Sequence, residues 1–358
     1  MPEHEVLPPP QQARIEAVAE AAAAWREPDH PPRAQAVEAT LDAPNRFTEQ
    51  AITFAINQQM DQLTPDALAD WVGGHWAGTP QTVGVLNAGN IPLVGLQDLL
   101  AVVLSGHDYI GTVSSKSPHL LPAFVDELKA HDADCPVSFG EAEALFARAH
   151  AIIATGDDET VDWVAGQCAA QGIPAERRLL RGHRYSVAVI DGEEDEDDRE
   201  DLAEDALLHE GYGCRNVAIV WAPRDLSPDP YLDALALFRG LFPVHPEVPG
   251  TLQMQQAFLE ATDQSHAYGE GLEFLVSRGA PEPQRPGHIR WAEYDTLDEV
   301  RDWLSAHADR IQLVTARPQL GDQLGAAVPT AALGSAQRPG LDWQPDGKDT
   351  LAFLDAIG

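Results

Sequence analysis

Lysine is almost missing from this chain. It occurs only at 116, 129 and 348, so arginine supplies nearly all of the 23 basic residues set against 57 acidic ones, and the net charge is −34. A chain so acidic is repelled by nucleic acid and by anionic membranes, which excludes both as partners. Cysteine is scarce as well. Cys135, Cys168 and Cys214 show no paired spacing and no C-x-x-C, which points to reduced thiols in a cytoplasm rather than a disulfide framework. No apolar run approaches the roughly 20 residues that span a bilayer, so no membrane insertion is expected. The amino terminus, Met1-Pro2-Glu3-His4-Glu5, has no basic region followed by an apolar core, which argues against a secretory signal. No strict G-x-G-x-x-G follows a strand, because Gly84–Asn90 carries its glycines at the wrong spacing. A zinc site built on His209 and Cys214 lacks a matching ligand pair elsewhere, so no metal is expected.

Abundant Asp and Glu with little Lys fits adaptation to a salt-rich cytoplasm. Surface carboxylates repel one another over a Debye length of about 30 Å in ~0.01 M salt but only about 3 Å in ~1 M. The thermal unfolding midpoint is therefore expected to rise across that range of KCl. A flat or falling midpoint would mean that arginine already compensates the acidic surface, and would remove this reading.

With 358 residues and 44% hydrophobic content, the chain is long enough for two domains with a substantial core. Residues 1–10 are proline-rich and read as loose. Helical periodicity covers 11–26 and 46–75, with Thr64-Pro65-Asp66 as a helix start. From residue 82 strands alternate with helices. Strands are expected at Thr82–Leu86, Tyr109–Val113, Pro136–Phe139, Ala151–Ala154 and Ser186–Ile190. The helices among them are Leu93–Leu104, Pro118–Ala130 and Asp158–Ala170. That alternation implies right-handed crossovers and a parallel sheet. The acidic run Asp191–Asp205 reads as a solvated connection into a helix, with a domain boundary near its end. Beyond it, strands at Val217–Trp221, Ile289–Glu293 and Ile311–Val314 and helices at Pro230–Leu241, Leu252–Ala261 and Leu297–Ala308 form a second α/β unit. No internal repeat is evident.

Two segments carry chemistry. In Leu86–Leu93 a carboxamide stands at a strand-to-helix turn. In His209–Asn216 a cysteine lies in a loop bracketed by Gly211 and Gly213, beside Arg215, which favours a thiolate. A thiol and an oxyanion-binding amide are the minimum for covalent acyl chemistry. Cys135 and Cys168 read instead as small apolar residues. Thr155-Gly156, which ends a strand and opens a helix, is a candidate phosphate turn, opposed by the negative charge of Asp157 and Asp158.

Taken together, these segments resemble the acyl-CoA reductases related to the fatty-acid reductase of bacterial luminescence, a branch of the aldehyde dehydrogenase superfamily. The resemblance runs from about residue 80 to the carboxyl terminus. It rests on Asn87–Leu96, Ser105-Gly106-His107, Ala151–Thr160, Ser186–Gly192, Glu210–Asn216, and Gly334-Ser335-Ala336-Gln337-Arg338-Pro339 followed by Asp349–Leu354. It implies an α/β, aldehyde dehydrogenase-like fold of two parallel-sheet domains with the active site in the cleft between them. The expected divisions are a helical segment at 1–80, a cofactor-binding domain at 81–206, a catalytic domain carrying Cys214 at 207–325 and a C-terminal segment at 326–358.

By the same resemblance Cys214 is the nucleophile and Asn90 an oxyanion donor. Thr155 and Gly156 match the turn at the cofactor phosphates. The strand Ile110–Pro118 supplies further cofactor contacts at Thr112, Ser114 and Lys116, with Thr112 standing where many relatives have lysine. The cofactor implied is NADPH, with NADH as the alternative, and the partners are an acyl-CoA substrate and a second copy in a homodimer. Hydrolytic aldehyde dehydrogenases carry a glutamate base about thirty residues before the cysteine; Leu179–Tyr185 holds no carboxylate here, which fits a reductase releasing a fatty aldehyde. His183, in that stretch, is the candidate acceptor of the thiol proton. Aldehyde oxidation to an acid, and a catalytically inactive scaffold, are the competing readings.

Overall fold

The computed structural model describes residues 7–325 and 327–358. Part of the amino-terminal stretch expected to be loose, residues 1–6, lies outside the described residues. Its end does not stay loose: Pro9 and Pro10 form the first turn of α1 (Pro9–Arg26), where proline's fixed φ suits a helix start. Three more helices follow, α2 (Pro31–Asp42), α3 (Glu49–Gln62) and α4 (Pro65–Val72). Thr64 caps α4 by accepting from the Ala67 N–H, with Pro65 behind it, as its sequence indicates. Helix α2 is absent from the sequence reading because its apolar face is little more than Ala36.

The chain divides into two compact units. One comprises the residues up to His183 together with Gly340–Gly358; the other is Arg184–Pro339. In the first, α1–α4 precede β1 (Thr82–Leu86), α5 (Leu96–Leu104), β2 (Asp108–Thr112), α6 (Leu120–His131), β3 (Val137–Phe139), α7 (Ala142–Arg148), β4 (Ala151–Thr155), α8 (Asp158–Ala170) and β5 (Arg178–Arg181). The five strands are all parallel, in the order β3-β2-β1-β4-β5. Helix α5 is apolar nearly all round and buried along its length, the pattern of a helix sandwiched in a core. It starts at Leu96 rather than Leu93, because Leu93 has φ 57°, a left-handed conformation that no α-helix accommodates. Trp25 of α1 is fully buried and meets Phe124 of α6 edge-on, with centroids 5.3 Å apart. The C-terminal helix Thr350–Ile357 also belongs to this unit, capped by Asp349 on the Ala352 N–H.

The second unit contains β6 (Tyr185–Val189), α9 (Glu196–Leu207), β7 (Val217–Pro223), α10 (Asp229–Leu241), α11 (Val248–Ala261), β8 (His266–Tyr268), β9 (Leu275–Arg278), β10 (His288–Tyr294), α12 (Leu297–Ala306), β11 (Ile311–Thr315), α13 (Pro318–Leu324) and β12 (Thr330–Ala331). Its sheet runs β12-β11-β6-β7-β10-β9-β8, parallel except for β8 against β9. The two parallel sheets expected from the sequence are therefore present. Their division falls at His183/Arg184, however, and not at 206/207. Strand β6 pairs with β7 and β11, so hydrogen bonding assigns it to the second sheet. The 326–358 segment also splits, Gly340 onward returning to the first unit.

The acidic run leads into a helix as expected, and most of its carboxylates face solvent, but not all of them. Asp195 and Asp198 close a capping box at the start of α9, and two carboxylates of the run are buried, Glu194 and Asp205. Glu194 accepts from the Tyr231 hydroxyl at 2.6 Å and from the N–H groups of Asp191 and Gly192. Charge density suggested solvent; hydrogen bonding placed these groups inside.

Candidate active site

In the first unit the chain leaves β1 through Asn87–Gly95 before entering α5. Asn87 locks this turn: its Nδ2 donates to the Tyr109 hydroxyl at 2.7 Å and to the Thr112 carbonyl at 2.8 Å. Burial raises the Tyr109 hydroxyl well above its ordinary range, so it stays neutral. Asn90 lies half-buried later in the same turn. Thr112 Oγ1 accepts the Asn87 N–H, and Ser114 Oγ accepts the Lys116 N–H. Asn87, Leu93, Gly95, Thr112, Ser114 and Ser117 border a small cleft at these strand ends.

On the neighbouring strand β4, Thr155 is held by Arg181. The buried guanidinium donates to both Asp98 oxygens (3.0 and 2.7 Å), to Thr155 Oγ1 (3.4 Å) and to Thr350 Oγ1 (2.7 Å). It thereby ties α5, β4 and the C-terminal helix together. The Gly156 N–H donates to the Arg181 carbonyl, and Asp157 caps α8 through the Thr160 N–H at 2.8 Å. These bonds from Thr160 hold the Asp157 carboxyl below its usual range, assisted by the charges of His183 and Lys116. His183 and Lys116 are both exposed.

The sheet order reverses between β1 and β4, and Asn87 and Thr155 begin the turns at the carboxyl ends of those paired strands. In open α/β sheets such a reversal leaves a crevice suited to a nucleotide. The residues therefore fit a dinucleotide across these turns. The carboxylates of α8's first turn oppose a phosphate there, and the Lys116 charge acts against that of Asp157.

In the second unit, Cys214 sits in the loop from α9 to β7. Three consecutive residues, His209, Glu210 and Gly211, have positive φ (54°, 58° and 75°), which bends the chain sharply out of α9. Gly211 is required, since a Cβ there would come 2.8 Å from the Gly287 nitrogen. Glu210 is buried and paired with Arg239 at 2.8 Å, and it also accepts the His245 N–H at 3.0 Å. That pairing compensates two charges removed from water and holds the strained backbone in place. Burial depresses the His209 imidazole to about 4, so it is neutral at physiological pH.

Asn216 fastens the far end of the loop. Its Oδ1 accepts the Gly213 N–H at 2.8 Å, and its Nδ2 donates to the carbonyls of Leu208 (2.8 Å) and Asp205 (3.1 Å). The Cys214 carbonyl accepts from Ser186 Oγ at 3.1 Å, and the thiol-bearing residue is half-buried. Cys135 and Cys168 are buried in apolar clusters. Burial pushes the Cys135 thiol up to about 11 and raises that of Cys168, which makes both poor nucleophiles.

Sequence reasoning missed Asp205, Asn216 and the Glu210–Arg239 pair. The one available signal was Asn216 itself, a carboxamide standing two residues after the cysteine at a strand entry. Among the described residues no group of three His, Cys, Asp or Glu side chains is arranged to hold a metal ion, and no helix is long and apolar enough to cross a membrane.

The two sheets and their order define the class. The fold is that of the aldehyde dehydrogenases: the chain resembles an NAD-dependent benzaldehyde dehydrogenase from Corynebacterium glutamicum at 14% identity and a TM-score of 0.69, over 90% of this chain and 80% of that one. An oxidoreductase from Marinobacter aquaeolei is similar at 11% identity and a TM-score of 0.71, over 96% and 83% of the two chains. An indole-3-acetaldehyde dehydrogenase solved with NAD+ gives 14% identity and a TM-score of 0.69, over 90% and 75%. No curated protein sequence matches the chain. Residues 74–227, which include both Asn90 and Cys214, match the family described as acyl-CoA reductase (LuxC). The fold is thus aldehyde dehydrogenase-like, and the LuxC-type match is confined to residues 74–227.

Proposed function

We propose that this protein reduces an acyl-CoA, or a related acyl thioester, to an aldehyde through an acyl-cysteine at Cys214. The observation that carries the reading is the Cys214 loop, tied on both sides of the thiol and lying inside the segment that matches the acyl-CoA reductases. The Cys214 thiolate attacks the thioester carbonyl, and the tetrahedral oxyanion is met by the Asn90 carboxamide and the Cys214 N–H. The carbon–sulfur bond to CoA then breaks, CoA leaves, and the acyl group remains on Cys214. When bound, a reduced nicotinamide, NADPH or NADH, would supply a hydride to the acyl carbon held on Cys214, leaving a thiohemiacetal there. Collapse of the thiohemiacetal releases the aldehyde and returns the thiolate.

Thr112, Ser114, Thr155 and Gly156 are assigned to the cofactor side. Lys116 joins them there, its charge acting on Asp157. His183 is kept as the proposed acceptor of the thiol proton. Reduction is favoured over oxidation to an acid because both carboxylates bordering the loop are engaged: Glu210 with Arg239 and the His245 N–H, Asp205 with two other backbone N–H groups. Neither is placed to activate water.

The test is a panel of acyl-CoAs of increasing chain length with NADPH and with NADH, run beside aldehydes with the oxidised cofactors. Consumption of reduced cofactor that depends on acyl-CoA is the expected result. Faster aldehyde oxidation in the absence of CoA would favour the dehydrogenase reading, and no turnover in either direction would favour a scaffold.

A further inference from the structure

The tail motif Gly334–Pro339 has no role in the chemistry above, yet in the second unit it is bonded directly to both sides of the cysteine loop. Asp205, at the end of α9, is fully buried. Its Oδ2 accepts the Gly334 N–H and its Oδ1 the Ala336 N–H, both at 2.9 Å. Two backbone donors on two carboxylate oxygens fix the orientation of the turn. Gln337 Nε2 adds a bond to the Asp205 carbonyl at 3.1 Å, the same carbonyl that accepts from Asn216.

So oriented, the turn presents the Ser335 and Ala336 carbonyls to the Arg215 guanidinium, through Nη2 at 3.2 Å and through Nε. Gly334 is the one residue type that fits its place. Its φ is 76°, and a Cβ would lie 2.5 Å from the Asp201 carboxylate. Arg338 bonds back to the Gly334 carbonyl at 2.9 Å and pairs with Glu204, which closes the turn.

We propose that Asp205 and Arg215 are positioning residues for Cys214, acting through the Gly334–Gln337 turn: Asp205 orients the turn, the turn holds the guanidinium, and the held guanidinium favours the Cys214 thiolate. This rests on Cys214 being the nucleophile. Arg215 interacts electrostatically with both Cys214 and Asp205, whose charges partly offset the lowering of the guanidinium by burial. Burial, with Glu204 and Asp201 nearby, pushes the Asp205 carboxyl up to about 7, while the two N–H donors favour its charged form. A solvent-facing arginine would swing through many rotamers; tied to two carbonyls, it keeps one charge position, from which it interacts with Cys214.

The experiment reads the thiol without turnover. In the full chain carrying Cys135→Ala and Cys168→Ala, the rate of Cys214 alkylation by iodoacetamide is followed from pH 5 to 9. Asp205→Asn and Arg215→Gln are each expected to move the profile up by about one pH unit, roughly a tenfold slower reaction at neutral pH. Arg215→Lys, which keeps the charge, is expected to recover part of that loss. The kcat for acyl-CoA should fall in step with the alkylation rate while KM stays put. Unchanged profiles in folded Asp205→Asn and Arg215→Gln would overturn the proposal. If Asp205→Asn does not fold, the contrast between Arg215→Gln and Arg215→Lys decides alone: equal profiles sink it, and a selective loss in Gln upholds it. Shifted profiles in a protein that never turns over acyl-CoA would leave the clamp standing and remove the acyl-CoA reading.

Discussion

Cys214→Ser is expected to lower acyl-CoA reduction by roughly 10⁴-fold or more, the scale seen when a covalent nucleophile is removed. A serine hydroxyl is scarcely ionised at neutral pH, and an arginine neighbour does far less for it than for a thiol. The change is one atom in size, so the bonds from Ser186 to the Cys214 carbonyl and from Gly213 to Asn216 are retained. Folding, followed by thermal unfolding, should therefore be little altered. Binding of the reduced cofactor, assigned to the first unit, should survive as well. Cys135→Ala and Cys168→Ala serve as controls, each removing a buried thiol from an apolar cluster, and both should keep their turnover. Substantial activity in folded Cys214→Ser would rule out the acyl-cysteine.

The second large effect is expected at Asn90. Asn90→Ala should lower kcat by roughly 100- to 1,000-fold and change KM much less, since an oxyanion donor acts on charge that develops only in the transition state. Asparagine is common in turns after strands, so a purely structural role has to be separated from this one. The structure provides the comparison. Asn87, three residues earlier, makes the turn's locking bonds to Tyr109 and Thr112. Asn87→Ala strands the buried Tyr109 hydroxyl and should cost roughly 1–3 kcal/mol of stability. A loss of kcat in Asn90→Ala without a fall in unfolding midpoint, beside a fall in midpoint for Asn87→Ala, is the expected pair of results. If Asn90→Ala raises KM alone, Asn90 is a substrate contact and the oxyanion role fails.

Local signals were enough for much of this molecule. Thr64-Pro65 names a helix start because capping is settled within four residues, and α8 falls at Asp158–Ala170 as its periodicity and acidic first turn indicate. The apolar runs at Thr82–Leu86 and Val217–Trp221 are strands because a strand buried on both faces must be apolar throughout. Cys214 stood out for its glycines and arginine, and the order of the matching segments was enough to suggest the family. None of this needs contacts distant in sequence.

What the tertiary structure decided is the partnership of residues far apart in the chain. Strand β6 lies before the acidic run, yet it belongs to the second unit, because sheet membership depends on which edge its N–H and C=O groups meet. Strand β5, Arg178–Arg181, is two arginines around two leucines; it became a strand through pairing with β4, and its buried Arg181 is neutralised by Asp98, 83 positions away. Asp205 reads as one more carboxylate in an acidic run. It is buried because Gly334 and Ala336, about 130 residues later, bring two N–H donors to its oxygens. Composition registers how many charges a chain carries. Only folding determines which of them exchange water for a fixed partner, because that exchange is favourable where donors from distant segments converge and costly everywhere else.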